Sequence, residues 1–249
     1  MEAALLNRAN YATQLYVQLR HELMAGRYEP GQKLKLRDIA DRAGVSVTPV
    51  REALARLVSD QALVQIDHHS VCVPVMDLDR FDELRDLRLD LEGKAAERAA
   101  SIADPVSIDD LEVIHARVVT ARAASANTEI LLENERFHMA VCQAACMPVL
   151  AHLVEILWLQ CGPLMHGITR WPVTQPPRHP HVALIAAFRA RDGAAAAAAI
   201  REDILMSTDA LRRYLTSHAE RPAWARQALG VVIPVPAGSS ATLRPRANA

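Results

Sequence analysis

The chain has 249 residues, a formal net charge of −1, and 51% hydrophobic residues, with aromatics only 4% of the total. That length admits one or two domains with a sizeable core, and the abundance of Ala, Leu and Val points to a mainly α protein. A balance so near neutrality excludes a general polyanion-binding surface, so affinity for nucleic acid has to come from local charge.

The first predicted element is an amphipathic helix over 11–25, with Leu15, Leu19 and Leu23 on one stripe. Tyr28-Glu29-Pro30-Gly31 reads as a turn before 33–36. The stretch LRDIADRAGVSVTPVREALARL, 36–57, then spells two short helices joined by a tight turn. Leu36, Ile39, Ala40 and Ala43 share one face of the first helix. Gly44 ends it, because glycine takes the left-handed conformation without a Cβ penalty. Ser46 or Thr48 can cap the second helix, Pro49 fits its first turn, and Val50, Ala53, Leu54 and Leu57 form its buried stripe. Ser46, Val47, Thr48, Arg51 and Ala55 are left facing outward at the leading end, as in a helix-turn-helix that enters the major groove. Two short strands, 63–66 and 71–75, flank the polar tip Asp67-His68-His69-Ser70 and make a wing. Between Arg27 and Arg56 seven basic residues outnumber four acidic ones, an excess of +3 where the DNA face is expected.

From residue 78 the pattern turns wholly helical. Segments over 78–102, 108–124, 128–145, 148–168, 180–191 and 193–218 are broken at Asp104-Pro105, Ser125-Ala126-Asn127, Met147-Pro148 and 171–177. The chain is thus expected to divide into a winged helix-turn-helix domain (8–76), an all-α bundle of six or seven helices (77–218) and a Pro-containing extension (219–249) whose composition carries no functional signal. The longest stretch without a formal charge, 137–154, contains His138, Gln143, Pro148 and His152 and reads as a buried helix pair, not a membrane span. Cys72, Cys142, Cys146 and Cys161 form no CxxC pair, and no secretory signal precedes them. They are expected to be small buried residues of a cytoplasmic protein.

GRYEPGQKL, LRDIADRAGVS and TPVREALARL together resemble the winged helix-turn-helix of the GntR family of bacterial transcription regulators, over about residues 10–75. The resemblance implies that Arg37, Ser46, Thr48, Arg51 and the wing-tip residues His68 and His69 contact DNA. Val47 stands where the family usually has an arginine, which predicts a lost phosphate or base contact at that position.

LRDLRLDLEGKAAERAA, NERFHMAV and HVALIAAFRARDGAAAAAAIRED are similar to the helical FCD-type sensor domain of the FadR branch, over about 78–215. Many members of that branch hold a divalent metal through an acidic residue or Asn, a histidine four later and two further histidines. Carried over, the set is Asn134, His138, His181 and Asp203, with Asp203 where histidine is usual. Such a mixed nitrogen and oxygen set suits Zn, Ni or Mn. The alternative leaves His138 and His181 as pocket-lining polar residues and Asp203 solvated. The family places the arginine equivalent to Arg88 near its effector, where a guanidinium can clamp a carboxylate. Alternatively, Arg88 pairs with Glu92 on the helix surface. His166 is the best further candidate for effector contact, ahead of His152 and His115, while His179 is expected to be exposed in a Pro-rich loop. Leu157 and Trp158 are expected in the core or at a subunit interface.

The resemblance implies a homodimeric regulator that binds double-stranded operator DNA at paired half-sites, senses a small carboxylate effector with a bound divalent transition metal, and has no membrane association. Two other functions fit the same residues: a metal-responsive regulator with no organic effector, and a metal-dependent helical-bundle enzyme. The lack of a nucleophile with an evident base argues against the enzyme.

Overall fold

The computed structural model of the chain describes residues 2–168 and 179–217. The N-terminal part runs α1 (Glu2–Met24), β1 (Lys33–Lys35), α2 (Leu36–Ala43), α3 (Val47–Ser59), β2 (Val64–Asp67) and β3 (Ser70–Cys72). The helix-turn-helix forms as its sequence dictates. Gly44 adopts φ 66°, and the cap closes with backbone N–H groups on the carbonyls of Ala40 and Asp41. Ser46 takes the N-cap position of α3 in extended conformation, but its side chain makes no cap hydrogen bond. The hydroxyl therefore remains free at the helix start. Leu15, Leu19 and Leu23 of α1 pack with Val50, Ala53, Leu54 and Leu57 of α3 in one core. Leu57 is 0% exposed, and truncating such a leucine to alanine costs about 2–5 kcal/mol.

The three strands form a sheet in the order β1-β3-β2, antiparallel throughout, with Leu34 opposite Val71 and Val64 opposite Cys72. The last strand is shorter than the expected 71–75. Val73 leaves the ladder and exchanges hydrogen bonds with the preceding turn, its N–H donating to Gln32 O and its carbonyl accepting from Gly31 N–H. Pro74 then has no N–H with which to extend the pairing.

The bundle follows as α4 (Leu78–Ile102), α5 (Pro105–Ala123), α6 (Asn127–Ala144), α7 (Pro148–Ile168), α8 (Pro180–Ala190) and α9 (Gly193–Ser217). Asp77 caps α4 by accepting from Arg80 N–H, and Asp104 caps α5 by accepting from Ser107 N–H with Pro105 in the first turn. The alanine runs explain the closest pairing, α4 on α9: Ala95, Ala96, Ala99 and Ala100 are buried on one helix and Ala196, Ala197 and Ala199 on the other. A Cβ on Gly193 would lie 2.9 Å from the Glu97 carbonyl oxygen, so the approach demands glycine there. Helix α7 packs against α1, and a Cβ on Gly162 would lie 3.0 Å from the Leu23 carbonyl oxygen. Buried residues of the winged part and of the bundle accordingly belong to one apolar cluster. Among the described residues no helix is long and apolar enough to cross a membrane.

Candidate DNA interface and cation site

The outward face of the helix-turn-helix carries Arg37, Ser46 and Arg51, all exposed, with Thr48 half-buried beside them. Val47 was expected to face outward; it is half-buried and packs against the core, since a valine at the start of α3 gains more from apolar contact than from water. His68 and His69 are exposed at the wing tip. The tip is shaped by Asp67, whose carboxylate accepts from Ser70 Oγ and His69 N–H, both at 2.7 Å, and from Lys33 Nζ at 3.3 Å. Those hydrogen bonds, the Ser70 hydroxyl first, hold the Asp67 carboxyl down at about 2. The carbonyl of His69 accepts from Leu36 N–H, which ties the wing to the first residue of α2. Arg51 and His68 line one groove of about 320 Å³ together with Leu36, Leu54, Gln65 and Val71. Helix α3 and the wing therefore present their polar residues to the same space.

The rear of α3 is held by the rest of the molecule. The Arg56 guanidinium stacks 3.9 Å above the Tyr16 ring, and Tyr16 OH donates to Asp60 Oδ2 at 2.8 Å. Gln160 of α7 donates from Nε2 to the Asp60 carbonyl at 3.1 Å, while its Oε1 accepts from Arg80 at 2.9 Å. Arg42 of α2 is bonded to Tyr28 OH and Glu22, locking that helix to α1.

In the bundle, side chains from α4, α6, α7, α8 and α9 converge on a buried polar cluster. Arg88 and Glu92 do pair, Nε to Oε1 at 2.7 Å, but in the core: they are 2% and 0% exposed. The surface pairing considered for them is replaced by a buried one, because both lie on the α4 stripe that also buries Phe81, Leu84, Ala95 and Ala99. The Arg88 guanidinium stacks 3.9 Å from the Trp158 ring centre. Its Nε is thus engaged by Glu92 of the same helix. Glu92 also accepts from Trp158 Nε1 at 3.1 Å and pairs with His138 Nδ1 at 2.5 Å. Burial alone would raise its carboxyl, but the Arg88 and His138 charges outweigh burial and bring it to about 2.

His138 is gripped from both sides, its Nε2 lying 2.9 Å from Asp203 Oδ2. Burial opposes its charge, yet Glu92 and Asp203 raise it to about 9. Asp203, expected on one view to be solvated, is buried and held well below the usual carboxylate range: burial would raise it, but the His138 hydrogen bond and His181 prevail. His181 is fully buried, stacks on Phe137, and brings Nε2 to 3.6 Å from Asp203 Oδ1. Both of those atoms lack a hydrogen-bond partner. Donor atoms of His138, His181 and Asp203 lie within 4.8 Å of one another, the spacing of a cation site. Asn134 is half-buried one helical turn before His138.

Other candidates fall differently. His179, expected to be exposed, is only 11% so; it caps α8 by accepting from His181 N–H at 3.2 Å and faces Asp203. Its proximity to the Asp203 carboxylate depends on α9, which no local pattern places. His115 is half-buried against His181. His152 is 69% exposed, so it does not reach the cluster. The His166 side chain and residues 219–249 lie outside the described residues. Trp158 is in the core, as expected, with Leu157. Cys142 and Cys161 are buried as expected, whereas Cys146 is exposed beyond the end of α6. Glu92 is the functional neighbour that sequence reasoning missed as a partner of His138. Its signal was there: a charged pair in phase with the apolar stripe of α4.

Residues 11–73 match the family of bacterial regulatory proteins, gntR family, and residues 83–205 match the FCD domain. The transcriptional regulator McbR of Escherichia coli is 32% identical over 148 residues, which cover 59% of this chain and 67% of McbR. YdhC, an HTH-type transcriptional regulator of Bacillus subtilis, is 29% identical over 132 residues, 51% of this chain and 58% of YdhC. The structure of E. coli McbR superimposes with a TM-score of 0.76 over 82% of this chain and 97% of McbR, at 27% identity. A GntR family member from Pseudomonas syringae pv. tomato shares the fold with a TM-score of 0.52 at 19% identity, over 84% of this chain and 88% of its own. These proteins are transcriptional regulators, not enzymes. With a helix-turn-helix and wing at one end and a helical sensor bundle at the other, this chain belongs to the GntR family of bacterial transcription regulators and carries an FCD domain.

Proposed function

We propose that this regulator binds operator DNA through Arg37, Ser46, Thr48, Arg51, His68 and His69, and that a divalent transition metal in the bundle controls that binding. The observation that carries the metal is the pair of buried atoms without partners, His181 Nε2 and Asp203 Oδ1, in a cluster whose donors converge. A bound cation satisfies both at once, which an apolar or empty core does not. His138, His181 and Asp203 would hold Zn, Ni or Mn, with Asn134 adjoining; the metal would supply a Lewis-acid centre with an open position for a further ligand. The effector class proposed for the bundle is a small organic acid. Arg88, bonded to Glu92 through Nε, adjoins the cluster and is the residue proposed to face that acid.

The switch runs along α7. Trp158 touches Glu92 inside the cluster, and Gln160, two residues on, holds the end of the recognition helix. A ligand that favours one arrangement of the cluster thereby favours one placement of α3, and only such differential affinity shifts the equilibrium. Acting as a homodimer, the protein would read half-sites about one helical turn apart. The test is to titrate metal and small carboxylates separately against the metal-free protein while following operator binding. Metal alone should change operator affinity, and acids should act only with metal present. Operator affinity indifferent to both would overturn the proposal, and acids acting without metal would remove the ion from it.

A further inference from the structure

Two histidines outside the set Asn134, His138, His181 and Asp203 close on the same cluster. His115 on α5 brings its Nδ1 to 3.3 Å from Nδ1 of His181. His179 brings its Nδ1 to 3.8 Å from Asp203 Oδ1, and its buried Nε2 has no hydrogen-bond partner. Donor atoms of His115, His179 and His181 lie within 4.8 Å of one another, as do those of His138, His181 and Asp203. His181 belongs to both triads. Its Nδ1 faces His115 and its Nε2 faces Asp203 at 3.6 Å, directions fixed by a ring stacked on Phe137 with centroids 3.5 Å apart and planes 7° apart.

A single hydrogen bond between two neutral imidazoles accounts for the contact of His115 with His181. It leaves three buried atoms, His179 Nε2, His181 Nε2 and Asp203 Oδ1, without partners. With metal–nitrogen bonds of about 2.0–2.1 Å, neighbouring nitrogens of a tetrahedral shell stand about 3.3–3.4 Å apart. The two Nδ1 atoms are at that spacing. The triads differ in chemistry: imidazole alone suits nickel and zinc, whereas a set containing a carboxylate also admits manganese. Two dications sharing one imidazole would repel strongly in a buried, low-dielectric setting, which makes the triads alternatives for one ion.

We propose that the bundle holds a single cation in either of two overlapping triads: His138, His181 and Asp203 for Mn²⁺, and His115, His179 and His181 for Ni²⁺ or Zn²⁺. This rests on the proposal that the bundle is a cation site, and narrows it: His115 and His179 draw Ni²⁺ or Zn²⁺ to the second triad and leave the set His138, His181 and Asp203, which can hold any of the three ions, to Mn²⁺.

The test uses the full-length protein stripped of metal and titrated with Mn²⁺ and with Ni²⁺ against a chromophoric chelator. The variants are the double substitution His115→Ala/His179→Asn and the single substitution His138→Ala. Asparagine at 179 keeps a side-chain acceptor for the α8 cap, so loss of the imidazole is separated from loss of the cap. The wild type should bind one equivalent of either ion. The double variant should weaken Ni²⁺ by at least the about 10- to 100-fold that loss of even an outer-shell partner costs, and keep its Mn²⁺ affinity, which also reports that it folds. His138→Ala should do the reverse. Ni²⁺ affinity unchanged in the double variant overturns the assignment of His115 and His179 while leaving the cation site standing. Equal loss of both ions, or simultaneous binding of two equivalents, overturns the division between the triads. A wild type that binds neither ion overturns the cation site itself, and this inference with it.

Discussion

The side-chain amide of Gln160 donates to the main-chain carbonyl of Asp60 at 3.1 Å, joining the sensor helix α7 to the C-cap of the recognition helix α3. Two residues earlier on α7, Trp158 donates to Glu92 in the buried cluster. One helix therefore touches both the end of α3 and the buried cluster. Replacing Gln160 by Ala should cost only about 1 kcal/mol of stability, the usual net contribution of one hydrogen bond. Operator affinity of the metal-free protein should persist, but its response to added metal should shrink. Fluorescence anisotropy of labelled operator with and without metal measures this, and a full response in the variant would break the proposed route.

Glu92→Gln tests the buried charge network. Removing one partner of a buried ion pair typically costs about 3–5 kcal/mol, and in a chain of this size about 1 kcal/mol lowers Tm by about 2–4 °C. A fall of about 6 °C or more is expected by calorimetry, because Arg88 is left charged in the core. The pH dependence has a definite sign. The Glu92 carboxyl is lowered from 4.5 to about 2 on folding, so its contribution is complete above about pH 4.5 and is lost as pH falls toward 2. Acid should therefore destabilise the wild type more steeply than the variant across that window.

His138→Ala should reduce metal retention, most of all for Mn²⁺, as measured by elemental analysis of protein purified without chelators. In the wild type, metal at about a hundred times its Kd should stabilise the fold by about 2.7 kcal/mol, visible as a rise in Tm on adding metal. A wild-type Tm that ignores every divalent ion would contradict the site.

On the DNA face, Arg51→Ala should weaken operator binding by the about 1–3 kcal/mol of a base-reading arginine while leaving Tm unchanged, since the side chain is exposed beside the groove it shares with His68. Val47→Arg asks a different question. Val47 is half-buried against the core, so arginine should trade some stability for a new phosphate or base contact and strengthen binding at low salt. Equal affinity in both proteins would mean that position 47 does not approach DNA.

Gly162→Ala should act on the joint between the two parts. The added Cβ meets the Leu23 carbonyl oxygen and Met24 Cα, both at 3.0 Å, and a backbone neighbour cannot rotate away. Overpacking of this kind costs about 1–3 kcal/mol. A lowered Tm with an altered metal response is expected, and an unchanged Tm would show that α1 and α7 yield easily.

Local order was legible in the sequence. Gly44 and the stripes of 36–57 specify a helix-turn-helix because a left-handed turn and helical spacing depend on neighbours a few residues apart, and the six helices of the bundle follow from the same periodicity. The four residues Asn134, His138, His181 and Asp203 could be singled out by family resemblance, since the first two share a helix face. Tertiary structure alone decided what surrounds them. Glu92 meets His138 across 46 residues and Asp203 meets it across 65, contacts that no local period encodes. It also turned Arg88 inward onto a carboxylate of its own chain and drew His179 from an expected loop position against Asp203. The physical reason is that burying a charge is costly unless the packed helices bring a partner to it, and which partner arrives depends on how α4, α6, α7 and α9 dock.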